Sequence, residues 1–253
     1  MYAAEGAAAS ACECPYCASP LCRAAYTEKV LKTAVLTGTK QYVILGAGMD
    51  TFAFREPEFL AKHRVFEVDH PLTQADKLER ITRAGWTVPD NLNFVPVDFT
   101  KDSLMERLIA AGFDPSAKSF FSWLGVTYYL SAEAIDAMLS ALSGLCADGS
   151  SLVFDYPDEN FFDAPERHVQ NTIMMAKAGG KPMKSAFSYS ELEKLLEKHS
   201  CASLLYANGV SLKEIQEWLG HSDIATTSNI YTHLNFTSKV ASANAIMGVY
   251  PSL

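Results

Sequence analysis

The residues best placed to do chemistry in this chain are two glycines and a carboxylate lying between Gln41 and Asp69. Gly46 and Gly48 follow a short apolar run, Tyr42-Val43-Ile44-Leu45. A run of that kind closed by glycines suits a strand of a parallel sheet that is buried on both faces. Glycines at its carboxyl end let the backbone approach a ligand that a Cβ would hold away. Asp69 ends the next apolar run, Arg64-Val65-Phe66-Glu67-Val68-Asp69, 21 residues after Gly48. That is close to the ~20 residues at which an acid after the second strand meets a ribose diol. A carboxylate fits this task because it can accept hydrogen bonds from both hydroxyls.

Thr51 stands where a dinucleotide fingerprint carries its third glycine. The pattern therefore favours a nucleoside cofactor without a pyrophosphate, such as S-adenosylmethionine, over NAD. The plain alternative is an ordinary turn between strand and helix with a solvated acid. A third run, Leu92 to Val97, also ends on an acid, Asp98, followed by Phe99. This pair could border a purine, the ring lying against Phe99 and the amino group donating to Asp98; otherwise Asp98 caps the following helix. Cys12, Cys14, Cys17 and Cys22 crowd into an alanine-rich start. Thiolates so close could hold zinc, or the segment is a leader without fixed structure. Cys146 and Cys201 have apolar neighbours and read as core residues.

The elements that must hold these residues follow from the pattern of apolar runs and breakers. Residues 1 to about 20 carry no period, and Pro15 and Pro20 argue against a helix there. A helix is expected from Leu21 to about Leu36, closed by Gly38. Strands at Tyr42–Leu45, Arg64–Asp69, Leu92–Val97, Lys118–Leu124 and Ser151–Tyr156 alternate with helices over Thr73–Ala84, Ser103–Ala111 and Ser131–Cys146. That alternation predicts an α/β fold, a doubly wound parallel sheet with the acids gathered at one edge. Pro157 to Ser190 reads as polar and irregular, either a lid or a surface excursion. Ser190 is expected to cap a final helix.

The whole chain has 253 residues, 49% hydrophobic and 20% charged, with net charge −8. This is enough for one α/β domain with a sizeable core, or for two small ones. The negative balance argues against nucleic acid or an anionic membrane as partner. No apolar run approaches the ~20 residues of a membrane-spanning helix. The start lacks the basic and apolar regions of a signal peptide, so the cytoplasm is the expected compartment.

Four segments, QYVILGAGMDTFAFR, FEVDHPLTQADK, FVPVDF and FFSWLGVTYYL, resemble the leucine carboxyl methyltransferase-like family of S-adenosylmethionine-dependent O-methyltransferases. The likeness runs from about Cys22 to His199. It implies a Rossmann-like fold, S-adenosylmethionine as cofactor, and a small-molecule or protein acceptor with a carboxylate or hydroxyl oxygen. It also implies that Gly46 and Gly48 border the methionine part, Asp69 holds the ribose, and Asp98 and Phe99 meet the adenine. Arg23, in CRAAYTE, matches the arginine that pairs with the cofactor carboxylate. Leu124 stands at a cofactor-lining position where many members carry glutamate.

From about His199 the chain changes character. EIQEWLGHSDIATTSNIYTHLNF resembles the C-terminal end of phage-type tyrosine recombinases. The likeness implies His221 as the assisting histidine and Tyr231 as the nucleophile. Lys198 stands in place of the second arginine of that family, and Leu195 in place of a histidine. Lys213 and Lys239 are outnumbered by Glu214, Glu217 and Asp223, a poor balance for gripping phosphates. The expected organisation is thus a disordered Cys/Ala-rich leader at 1–21, a methyltransferase domain at 22–198, and a helical, recombinase-like tail at 199–253. On this reading the sheet lacks its last two strands and strand five lies near an edge.

Overall fold

The computed structural model describes residues 15–99, 101–199 and 232–233. Its centre is β1 (Gln41–Leu45), buried at every position. Pairing in parallel register with β2 (Arg64–Asp69) sets Leu45 opposite Val68, and β3 (Leu92–Pro96) lies outside β2. On the other side β1 pairs with β4 (Ser119–Trp123), and β4 with β5 (Ser151–Phe154), all parallel. A two-residue strand, β6 (Thr232–His233), runs antiparallel to β5 and completes the order β3-β2-β1-β4-β5-β6.

Side chains alternate across the sheet, and each set meets its own layer of helices. On one face Val43, Leu45, Phe66, Val68, Phe121 and Trp123 pack with residues of α5 (Leu104–Ala110), α6 (Ala132–Leu145) and α8 (Tyr189–His199). On the other, Tyr42, Ile44, Val65, Phe120 and Val153 pack with α1 (Pro15–Leu36) and the short turns α2 (Phe52–Arg55) and α3 (Pro57–Leu60). The apolar stripe of α6 shows why it docks: Ile135, Leu139 and Leu142 are each 1% exposed. Burying one such side chain contributes about 1.5–3 kcal/mol. Ser131 caps this helix, its Oγ accepting from the Ala134 amide at 3.3 Å.

Three local expectations change. First, α1 begins at Pro15 and continues through Pro20 rather than starting at Leu21. Pro15 suits the first helical position, where its missing N–H and fixed φ cost little, whereas Pro20 lies inside the helix and gives up the backbone bond to residue 16. Second, the stretch read as irregular contains α7 (Arg167–Ala178), of which only Val169 is buried. A helix that buries so little leaves a faint apolar period. Third, Ser188 rather than Ser190 starts α8: its Oγ accepts from the Glu191 amide at 3.3 Å while Glu191 Oε2 accepts from the Ser188 amide at 2.9 Å. This is a reciprocal capping box.

β5 is also not left bare along its outer side, because Thr232 and His233 pair with Phe154 and Val153. An edge strand offers open backbone donors and acceptors to any extended segment, whatever its side chains. The remainder of the expected tail, 200–231 and 234–253, lies outside the described residues, and so do His221, Tyr231 and Cys201. Cys12, Cys14 and the side chain of Cys17 also lie outside them. Among the described residues no group of three or more His, Cys, Asp or Glu could hold a metal ion, and no helix is long and apolar enough to cross a membrane.

Candidate functional site

β1 has β2 on one side and β4 on the other, and their connections leave in opposite directions. At such a switch point the carboxyl ends of the strands open a crevice for a ligand. The turn after β1 forms one wall. It is tied to β2 through the Gly46 and Ala47 amides, which donate to the Val68 carbonyl at 2.8 and 3.1 Å. Gly46 and Gly48 both have positive φ, +71° and +51°. Their surroundings differ. A Cβ on Gly46 would lie 2.5 Å from Val126 Cγ2, whereas one on Gly48 would meet nothing within 4 Å. Gly46 therefore serves close packing of the β1 turn on the β4 turn, and Gly48 faces open space.

Asp69 reaches this turn. Its Oδ2 accepts from the Gly48 amide at 2.5 Å and its Oδ1 from the His70 amide at 2.6 Å. The pairing of Gly48 with the acid 21 residues on is thus a direct contact. Each oxygen retains further acceptor capacity, since a carboxylate offers about four lone-pair sites. His70 caps α4 (Pro71–Arg83), its Nδ1 accepting from the Leu72 amide at 3.2 Å.

Asp98 lies past β3 on the same edge, with Lys101 Nζ 2.8 Å and His70 Nε2 4.0 Å from its Oδ2. It does not cap α5; Ser103 does, accepting from the Glu106 amide at 3.3 Å. Phe99 is 38% exposed, an apolar surface next to this carboxylate. Asp69, His70, Asp98 and Phe99 therefore belong to one neighbourhood, beside the open side of Gly48.

Across β1, the end of β4 leads into Leu124, Gly125 and Val126. Leu124 is partly buried and packs on the core face shared with α1. Gly125 has φ +74°, and a Cβ there would lie 2.6 Å from Arg23 Nη2. Arg23, from α1, is held by Asp155: its Nη1 donates to Asp155 Oδ2 at 2.7 Å and to the Tyr128 hydroxyl at 3.3 Å. Asp155 Oδ1 accepts from the Gly125 amide at 2.7 Å. Burial pushes the fully enclosed Asp155 carboxyl above the usual range, and Arg23 draws it back. Burial likewise raises the Tyr128 phenol to about 12.

Sequence reasoning singled out Arg23 but missed Asp155 and Tyr128. The signal was present, since SLVFDY is another strand ending on an acid, but its partner lies 132 residues earlier. Leu195, at the recombinase histidine position, is half-buried on α8 and packed against the core.

Comparison with known proteins bears on the family and the fold. A family model described as Leucine carboxyl methyltransferase matches residues 4–143, and one described as Phage integrase family matches residues 169–238. The first begins inside the segment read as a leader, and the second takes in α7 and α8 as well as the tail. A Bacillus subtilis protein named "Putative S-adenosyl-L-methionine-dependent methyltransferase YktD" is 48% identical over 190 residues, 74% of this chain and 62% of that protein. A Mycobacteroides abscessus protein of similar name is 30% identical, over 64% of this chain and 52% of its own length. This chain thus spans between half and two thirds of those relatives. Among solved structures, a DUF574 family protein of Streptomyces avermitilis aligns with TM-score 0.59 at 14% identity, over 85% of this chain and 81% of that one. A "putative methyltransferase" from Thermobifida fusca aligns with TM-score 0.57 at 18% identity, over 83% and 80%. At such identities the likeness speaks for the fold.

Proposed function

The chain belongs to the leucine carboxyl methyltransferase family, and from that premise we propose that it binds S-adenosylmethionine at the carboxyl edge of β1, β2 and β3 and directs methyl transfer to an oxygen acceptor. The contact that carries this reading is Gly48 to Asp69: an amide at the turn and a ribose-sized acid, side by side, with open space where a Cβ would otherwise stand. Asp69 would accept from the ribose hydroxyls. Asp98 and Phe99 would receive the adenine, and Gly46, Gly48 and Leu124 would border the methionine part. Arg23 would face its carboxylate, which a guanidinium can grip with two parallel N–H groups.

These residues fit the cofactor: an acid with remaining acceptor capacity, an exposed ring beside a carboxylate, and an arginine held at the same edge. When bound, the cofactor supplies a methyl group activated by its sulfonium. The chain orients the partners and keeps water out. Asp155 and the Gly125 amide hold the Arg23 end while the β1 turn holds the Asp69 end. An acceptor carboxylate, on a small molecule or a protein C-terminus, is already ionised at neutral pH and needs no general base. That agrees with a site whose titratable groups all read as binding groups.

Titration calorimetry with S-adenosylmethionine and its demethylated product tests the proposal. A micromolar constant, roughly −8 kcal/mol, is expected; no heat and no thermal shift at millimolar ligand would sink it. The match of residues 169–238 to the Phage integrase family supports a second reading, DNA strand exchange through His221 and Tyr231. A covalent adduct on a nicked DNA substrate that vanishes in Tyr231→Phe would favour it over methyl transfer.

A further inference from the structure

We infer that Lys77 is a positioning residue for cofactor binding: paired with Glu67, it clamps the turn at residues 46–50 to α4 so that the turn keeps its shape when a ligand engages Asp69. The inference rests on the reading of that turn given above. Lys77 Nζ donates to the Asp50 carbonyl at 2.7 Å and to Glu67 Oε2. Its side chain is 6% exposed and that of Glu67 1%. Asp50 closes the turn, and its Oδ1 accepts from the Phe52 amide at 2.6 Å, starting α2. A single ammonium therefore joins the helix that begins beside Asp69 to the loop that carries Gly48.

Besides the Gly46 and Ala47 amides on the Val68 carbonyl, two side chains tie the turn across this gap, and they differ in one respect. The Gly48 amide leans on Asp69, the same carboxylate a ribose would use. The Asp50 carbonyl leans on Lys77, which no ligand at the edge reaches for. When a diol shares Asp69 with the Gly48 amide, the Lys77 tie on the Asp50 carbonyl is not shared with it. Stability alone gives little reason for this pair. A buried ion pair commonly does no better than apolar residues of similar size. Here Glu67 Oε1 has no hydrogen-bond partner among the described residues, and burial pushes its carboxyl to about 7 despite the neighbouring ammonium.

The test separates positioning from packing. In K77M/E67L both charges go together, so neither is orphaned. Its melting temperature should match wild type, while its dissociation constant for S-adenosylhomocysteine weakens about tenfold, the loss expected for a charged hydrogen bond. Amide exchange at residues 46–52, measured without ligand, should rise by a similar factor. Unchanged affinity and unchanged exchange in a stable double variant would overturn the inference. Should that variant fail to fold, Lys77→Met is compared below its melting point with Leu142→Ala, which opens the core on the buried face of α6. A loss of affinity no greater in Lys77→Met than in Leu142→Ala is again the overturning result. If wild type binds no S-adenosylhomocysteine, the functional reading fails, and the ligand-free exchange still decides whether Lys77 holds the turn.

Discussion

Gly46 and Gly48 share a left-handed backbone, yet the structure assigns them different work, and alanine should separate the two. Either substitution places a side chain in the left-handed region, at about 1–2 kcal/mol. At Gly48 nothing more is added, because the new Cβ enters open space. At Gly46 it lands 2.5 Å from Val126 Cγ2, and overpacking of that kind adds about 1–3 kcal/mol. With roughly 2–4 °C of melting temperature per kcal/mol in a domain of this size, Gly46→Ala should lose about 10 °C and Gly48→Ala about 5 °C. Removing the obstacle should recover part of the larger loss. In Gly46→Ala/Val126→Ala the clash disappears and the strain remains, so the cycle should show a coupling of about 1–3 kcal/mol. Urea unfolding followed by circular dichroism measures all four chains. Ligand affinity should follow the opposite order, since the Gly48 methyl group occupies the space read as the cofactor's. Calorimetry should show Gly48→Ala losing about tenfold or more, close to 1.4 kcal/mol. A coupling below about 0.5 kcal/mol, or a stable Gly48→Ala with unchanged affinity, would refute the assignment.

Two further outcomes follow from the same geometry. Asp69→Ala should weaken S-adenosylmethionine by about 2 kcal/mol in a chain that still folds; normal binding in calorimetry would make Asp69 structural. Glu67 should give stability a pH dependence. Its carboxyl rises from 4.5 to about 7 on burial, so its contribution is full below the unfolded value and is lost as pH climbs through the folded one. Between pH 5 and 8 the unfolding free energy should fall by roughly 2–3 kcal/mol on this account. The same urea series on Glu67→Gln should lack that fall; an equal fall in the variant would show that another group titrates.

Some elements around the candidate site could be read before the fold. The strand at Arg64–Asp69 and the Gly48–Asp69 spacing depend on local periodicity and on a connection of ordinary length, both written along the chain. α7 could not be read, because a helix with one buried residue has almost no apolar period to detect. The start of α1 was obscured by Pro20, since a proline inside a helix forfeits a backbone bond and reads along the chain as a breaker. Ser188 and Ser190 are equally good caps by type, and only the backbone path chose between them.

By itself the sequence determined the alternation of strands and helices, the acids at strand ends and the glycines of the first turn. These follow from side-chain type and spacing, which act over a few residues. Tertiary structure decided which of those groups meet. Arg23 and Asp155 lie 132 residues apart and touch because β4 and β5 lie side by side under α1. Lys77 meets both Glu67 and the Asp50 carbonyl only because α4 folds back over β2 and the turn after β1. The division between Gly46, closed by Val126, and Gly48, where a Cβ would meet open space, is likewise a matter of what the chain brings alongside. A residue's type sets which interactions it can make; its neighbours across the sheet decide which of them it makes here.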